Sequence, residues 1–377
     1  MPLYSPERLR ELQSQYRPFN HSTGKSLIFT ITLRLMAKRI SVILLVIFSG
    51  PVCLPQTGGD NVYEFLNLTH SGLISSLGGS NISLNGSGLN MSWHNPALLD
   101  SSMSGSLALN YSDYLAGINY GLVLYSPELK GPGCLAAGIS YLSYGSFTEA
   151  DIAGNITGSF SASESAFTLI YSHPVDSNFS IGINFKPVIS HLERYNSFGF
   201  AFDVGISWHN PSNLLSAGLV LRNGGVQLTT YAGEERGKLP FELLAGITVK
   251  PAHAPFRISV TARNLGKFDL THDYNSTADD ETENSSGFAE DLLRHLTAGV
   301  EIIPHRNFYL SAGYNHQRRS ELKSSAGSGG TGLSWGFGLN TSVLAVEFGM
   351  ASYHLAGSSL HFSAIVKPGL MYHRLRN

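Results

Sequence analysis

Charge is scarce in this chain. Only 14% of its 377 residues are Asp, Glu, Lys or Arg, against about a quarter in an ordinary soluble domain. The net charge of −2 leaves no electrostatic footprint for nucleic acid. Cysteine is nearly absent: Cys53 ends an N-terminal apolar segment and Cys134 stands in an alternating stretch. That excludes a disulfide framework and a cysteine metal site. Long apolar runs are missing too. After Ser49 none approaches the ~20 residues that a membrane-spanning helix needs. No nucleophile elbow, zinc-helix motif, P-loop or dinucleotide fingerprint stands in the right strand–helix context. The histidines are scattered, so the sequence offers no catalytic, cofactor or metal constellation.

What the chain has is glycine (40), tyrosine (17) and phenylalanine (20), arranged with a period of two. Phe198, Phe200, Phe202, Val204, Ile206 and Trp208 alternate with Gly199, Ala201, Asp203, Gly205, Ser207 and His209. Phe179, Ile181, Ile183 and Phe185 alternate with Ser180, Gly182, Asn184 and Lys186. The same pattern recurs at Phe308–Asn315, Leu344–Met350 and Leu360–Lys367. Alternation of this kind predicts strands with one apolar and one polar face. We count 14 such segments, beginning near residues 104, 117, 133, 163, 178, 197, 213, 240, 256, 295, 306, 332, 343 and 358. Most run about ten residues, the length of a tilted membrane strand rather than the usual ~5–6 of a soluble one. In lipid the strands must close on themselves to satisfy the backbone. The expected fold is therefore all-β, a 14-stranded antiparallel transmembrane barrel.

The connections alternate as such a barrel requires. Ser126–Gly133, His173–Asn178, His209–Asn213, Lys250–Pro255, Pro304–Asn307 and Asn340–Ser342 read as short turns rich in Pro, Asn and Gly. Between them lie longer pieces at Phe147–Ala162, Gly224–Leu239, Asp269–Leu292 and Gln317–Gly332, and two short ones at Ser112–Gly117 and Tyr353–Ser358.

Met36-Ala37-Lys38-Arg39 precedes the apolar run Ile40–Phe48, a basic region and short hydrophobic core of the signal-peptide type. We read residues 1–35 as an extension upstream of the true start, 36–57 as a signal peptide, 58–103 as a plug, 104–368 as the barrel and 369–377 as a tail. The tail carries Tyr372, which could serve as the terminal aromatic, followed by basic residues.

Asn61–Leu99 differs from everything after it. It is broken by glycines and ends in Trp93-His94-Asn95-Pro96-Ala97. Asn95 suits a helix cap and Pro96 the first helical position. The pair Gly78-Gly79 permits close packing and positive φ. This order resembles the N-terminal plug of FadL-like outer-membrane barrels. Together with Val62–Leu68, Tyr144–Asp151, Ser190–Gly199 and Ala252–Arg257, the chain resembles the PorQ family of the type IX secretion system of Bacteroidetes over roughly residues 58–370. The resemblance implies an outer-membrane, non-enzymatic anchor without cofactor, which holds a PorZ-like surface protein in a complex with PorU- and PorV-like components, among the lipids and lipopolysaccharide of that membrane. Alternatives are a FadL-type transporter of hydrophobic molecules, a PorV-like cargo shuttle and a soluble exported β-protein.

On that architecture Lys186, Asp203, Arg222, Arg257, Arg263 and Glu347 fall on the faces opposite the apolar rows. They are expected to point into the lumen as ion pairs that hold the plug, with a transport path as the sharper reading. His94 and Asn95 read either as a ligand-contacting pair or as caps and turns of the plug. Asp279, Asp280, Glu281 and Glu283 lie in a loop with eight carboxylates between 269 and 291. It lacks calcium-loop spacing and reads as a solvated loop and a candidate partner surface. Arg318-Arg319 could touch lipopolysaccharide phosphates or be ordinary surface charge.

Overall fold

A computed structural model describes residues 61–231, 233, 235–267, 288–322, 330–354 and 357–369. The expected extension and signal segment at 1–57, the acidic quartet Asp279, Asp280, Glu281 and Glu283, and Tyr372 lie outside the described residues.

Fourteen antiparallel strands form one closed barrel, each paired with its neighbours in sequence, with β1 closing on β14. They are β1 (Ser106–Asp113), β2 (Asn119–Ser126), β3 (Cys134–Ala150), β4 (Ile156–Pro174), β5 (Phe179–Leu192), β6 (Tyr195–His209) and β7 (Leu215–Thr229). The second half comprises β8 (Glu242–Val249), β9 (Phe256–Ala262), β10 (Leu296–His305), β11 (Phe308–Asn315), β12 (Leu333–Asn340), β13 (Leu344–His354) and β14 (Gly357–Val366). Thirteen of these begin within two residues of the position expected from alternation. The exception is β4, which starts at Ile156 rather than near 163.

That difference is a correction to the loop Phe147–Ala162. β3 runs on to Ala150 and pairs with β4 as far as Ala150↔Ile156. Polar residues such as Thr148 and Ser159 hide the pattern, because a hairpin clear of the membrane has no apolar face to present. Likewise the piece expected as loop from Gly224 belongs to β7 up to Thr229. Two short helices also went unseen: α3 (Phe288–Arg294) and α4 (His316–Glu321). Both stand in segments read only as loops.

Facing is strict. On β5 the exposed Ile181, Ile183, Phe185 and Ile189 alternate with the buried Asn184, Lys186, Val188 and Ser190. On β6 Phe198, Phe202, Val204 and Trp208 are exposed, while Ser197, Ala201, Asp203 and Ser207 are buried. The apolar residues face out, the reverse of a soluble protein. Leu109, Tyr125, Tyr141, Phe167, Ile247, Leu310, Trp335 and Phe362 extend this exposed apolar surface over the other strands. An apolar surface of that extent needs hydrocarbon rather than water around it.

The segment before β1 fills the lumen. It contains a 3₁₀ turn at Glu64–Asn67, α1 (Gly72–Ser76), α2 (Met91–His94) and 3₁₀ turns at Pro96–Leu98 and Ser101–Met103. It is not confined to the mouth that bears the chain termini of the barrel. Asn61 pairs with Lys238, and the Val62 amide donates to the Lys238 carbonyl at 2.8 Å, in the long β7–β8 connection. At the other end the Gly105 amide donates to Ser126 beside a short turn. The plug thus traverses the lumen from the long-loop end to the terminus end. Its apolar residues pack on the inner wall in separate clusters, among them Tyr63, Phe65 and Leu66 with Tyr120, Val188 and Ala201, and Leu89, Trp93 and Met103 with Leu122, Leu124 and Ile170.

The outward and inward faces should respond oppositely to charge. Ile183→Arg, at an exposed position in the middle of β5, is expected to cost about 2–4 kcal/mol in a lipid bilayer. Ser180→Arg, near the β5 turn, should cost little. Urea unfolding in vesicles measures both.

Candidate functional site

The plug lies against the wall through its backbone. On opposed strands the wall presents glycine where that backbone passes. A Cβ at Gly182 would strike the Pro96–Ala97 peptide, one at Gly205 the Asn95 side chain, and one at Gly218 the Ile82 carbonyl. On the opposite side Gly313 meets Leu77–Gly78 and Gly349 meets the Gly72 carbonyl. These glycines pair across strands, Gly182 with Gly205, Gly218 with Gly246, Gly299 with Gly313 and Gly336 with Gly349. The sequence shows them as ordinary members of the small-residue face. Their concentration at one register was the available signal.

The local chemistry of the plug follows its residues. Ser71 caps α1, accepting from the Ile74 amide at 3.4 Å. Gly78 and Gly79, with φ of 97° and 90°, end α1 in a Schellman turn: Gly79 N–H donates to the Ile74 carbonyl and Gly78 N–H to Ser75. Asn95 accepts from the Ala97 amide at 3.0 Å and donates to the Ile82 and Ile206 carbonyls at 2.8 and 3.1 Å. It therefore caps the Pro96–Leu98 turn and ties the plug to β6. His94 is buried, and its carbonyl accepts from Arg222 at 3.2 Å.

The charged residues point inward. Lys186 and Asp203 form an ion pair of 2.7 Å, each side chain 1% exposed. Glu242 receives Arg263 at 2.8 Å and Arg222 at 3.5 Å. Arg257 grips Glu301 through two nitrogens, at 2.7 and 2.8 Å. Every one of these pairs joins wall to wall, not wall to plug. Three of these cations also reach the plug: Arg222 on the His94 carbonyl, Arg257 on Ser87 Oγ at 3.0 Å, and Lys186 5.4 Å from the centre of the Trp93 ring. Among the described residues Glu347 has no ion-pair partner; its carboxylate accepts from Ser71 Oγ at 3.0 Å and the Leu73 amide at 3.2 Å, at the start of α1. Apart from Glu347, the charges expected to hold the plug as lumenal ion pairs thus pair within the wall, and Arg222, Arg257 and Lys186 reach the plug from those pairs. The partners Glu242 and Glu301 were not singled out from the sequence, although both stand at inward positions of their strands.

A bulge in β7 organises the centre of this network. Pairing with β6 slips between Phe202↔Gly224 and Val204↔Leu221, so Arg222 and Asn223 both turn inward opposite Asp203. Asn223 adopts φ 56°, a left-handed conformation that asparagine tolerates. Its amide donates to Asp203 at 2.8 Å, its Oδ1 accepts from Lys186 at 2.5 Å, and its Nδ2 donates to Asn67 of the plug at 2.8 Å. Burying a charge is tolerable only when it is paired and hydrogen-bonded, and here both conditions hold.

Two plug histidines are uncharged. Burial, with the His361 and Lys186 charges adding to it, holds His70 down at about 3; burial and the neighbouring Arg222 hold His94 well below its usual value. His70 instead sets its edge on Trp93 and Tyr120 and bonds Ser140 at 3.0 Å.

No family model matches this chain, and no curated protein sequence matches it. Solved structures of similar form are outer-membrane barrels. The toluene transporter TodX of Pseudomonas putida is 11% identical, with a TM-score of 0.48 over 82% of this chain and 98% of its own. A FadL homologue of Pseudomonas aeruginosa is 11% identical, with a TM-score of 0.42 over 79% and 98%. The barrel assignment stands on the strand pairing itself.

Two predictions follow from the network and the histidines. Lys186→Met or Asp203→Asn alone should destabilise by about 3–5 kcal/mol by stranding a buried charge, while Lys186→Met with Asp203→Leu should recover most of it; denaturant midpoints in micelles test this. Unfolding exposes His70, which then takes up a proton below the usual 6.5, whereas the folded ring stays neutral down to about 3. The His70 contribution to stability is therefore complete above pH 6.5 and is lost progressively as pH drops toward 3. His70→Phe should flatten that slope in a pH series of thermal midpoints.

Proposed function

We propose that this chain is an outer-membrane barrel that works as a non-enzymatic anchor, holding a surface protein at its long-loop end. The observation that carries this reading is the filled lumen joined to a free-standing hairpin. The wall spends its inward face on packing a plug that runs the whole way through, which suits a platform better than a conduit. At the long-loop end, β3 and β4 rise past their neighbours. β2 pairs with β3 only to Ser143, and β5 pairs with β4 only to Ala162. Beyond these points no strand pairs with the outer edges of the hairpin among the described residues; the β5–β6 turn touches its base, where the Glu193 amide donates to the Ser161 carbonyl at 3.2 Å. Phe147 and Phe160 stack on it with centroids 5.2 Å apart, and Ile152 and Ile156 are fully or mostly exposed. Open strand edges with exposed apolar side chains accept a partner strand.

The resemblance to the PorQ family supplies the specific form of the proposal: the partner is PorZ-like, and the assembly is the PorU- and PorV-containing attachment complex of type IX secretion. The acidic loop around Asp279, Asp280, Glu281 and Glu283 is a second candidate contact. FadL-type transport of hydrophobic molecules is the other reading, favoured by the β7 bulge at Arg222-Asn223-Gly224-Gly225, next to which β8 and β9 are only eight and seven residues long.

The test is an affinity capture of the tagged chain from detergent-solubilised outer membrane, with mass spectrometry. A PorZ-like surface protein is expected in the eluate, lost when residues 146–160 are replaced by a two-residue turn and retained after Ser180→Arg near the β5 turn. A barrel recovered alone with bound fatty acid would support the transporter instead.

A further inference from the structure

At the terminus end of the barrel lies a cavity of about 460 Å³, away from the long loops and bounded by the short turns. Cations ring it. Lys250 stands on the β8–β9 turn, Arg306 on the β10–β11 turn and Lys367 just after β14. Lys250 and Arg306 have no acid within ion-pair distance among the described residues, and the Lys367 ammonium donates to the Ser102 carbonyl at 2.6 Å. The lining sets Lys250, Arg257, Arg306 and Lys367 against only two carboxylates, Glu301, which pairs with Arg257, and Glu347, which bonds the start of α1. The lining therefore carries uncompensated positive charge.

Two further features point to a ligand. Tyr309, 6% exposed, lies flat over its cross-strand partner Gly338 and lines the cavity. Its buried hydroxyl has no hydrogen-bond partner among the described residues. A buried phenol normally finds one. Second, the plug contributes the loop Gly86-Ser87-Gly88 to the lining. The two glycines have φ of 71° and 95°, and among the described residues the Gly86, Ser87 and Gly88 amides donate no backbone hydrogen bond of ordinary geometry. Successive free amides in such a turn form a concave anion-binding surface. Arg257 already reaches the Ser87 hydroxyl, so a guanidinium borders the same loop.

We propose that this cavity binds a phosphomonoester on the periplasmic side of the barrel. The glycine loop and Arg257 take the phosphate oxygens, the rim cations Lys250, Arg306 and Lys367 neutralise it, and Tyr309 donates to an oxygen of the ligand. The cavity size fits a small organic molecule. A mixed lining, in which Leu89, Met103 and Ile365 alternate with these polar groups, suits a compact ester better than an unbranched hydrocarbon chain. The ester could be a free metabolite or the headgroup of a short-chain lipid.

The experiment is isothermal titration of the purified full-length barrel in a non-ionic detergent with three probes: phenyl phosphate, dihexanoyl phosphatidic acid and laurate. Saturable binding of phenyl phosphate is expected for a free ester, and of phosphatidic acid alone for a lipid headgroup; either supports the site. Tyr309→Phe should weaken that binding about tenfold, with the thermal midpoint unchanged because the hydroxyl has no partner to lose. Lys250→Glu with Arg306→Glu, both on exposed turns, should abolish it and leave heat-shifted gel migration intact. Absence of saturable binding by both phosphates, tighter binding of laurate, or binding indifferent to these variants would overturn the proposal.

Discussion

Contact between the backbone of the plug and the backbone of the wall is the constraint that the rest of the lumen is arranged around. A main chain can lie against a strand only where the strand carries no side chain. Gly182, Gly205, Gly218, Gly313 and Gly349 supply that space. Once the plug is seated at this depth, its apolar side chains reach the wall above and below. Leu66 packs toward Val188 and Ala201, and Trp93 toward Leu122 and Ile170. The wall residues at those levels are correspondingly small or aliphatic, as close packing requires.

Charge is handled at the same depth. Lys186, Arg222, Asp203 and Glu242 are almost inaccessible, and ions in that position cost far more than they return unless they are paired and bonded. Pairing them within the wall frees the plug from carrying a compensating charge. The plug then needs only donors and acceptors, which its short helices and turns provide in quantity: the His94 carbonyl, Asn67, Ser71 and the Leu73 amide. The β7 bulge makes the arrangement possible, since an undistorted strand would send Asn223 outward into the apolar surface.

Strand positions were legible in the sequence because membrane strands must alternate over their whole length, and Ile181 to Lys186 could hardly be read otherwise. The caps and turns at Asn95, Pro96, Gly78 and Gly79 were legible because each residue type has a narrow backbone use. The hairpin beyond Ser143 was not, since outside the apolar zone nothing enforces the period on Thr148 or Ser159. Ion-pair partners were legible by face but not by pairing. That Arg263 meets Glu242 rather than a plug residue depends on register across β8 and β9, which alternation alone does not fix. The bulge at Asn223 was invisible for the same reason.

The route of the plug has a topological consequence. Residues from Asn61 onward are already inside the ring when the chain reaches β1, and the ring is sealed by β1 pairing with β14. The last seam therefore has to close around an occupied interior. A wall sealed first would have to admit the plug past Glu347, Gly205 and Gly313 by threading, end to end. With the plug placed before β1, the order of residues along the chain lets the wall close around a segment already in place.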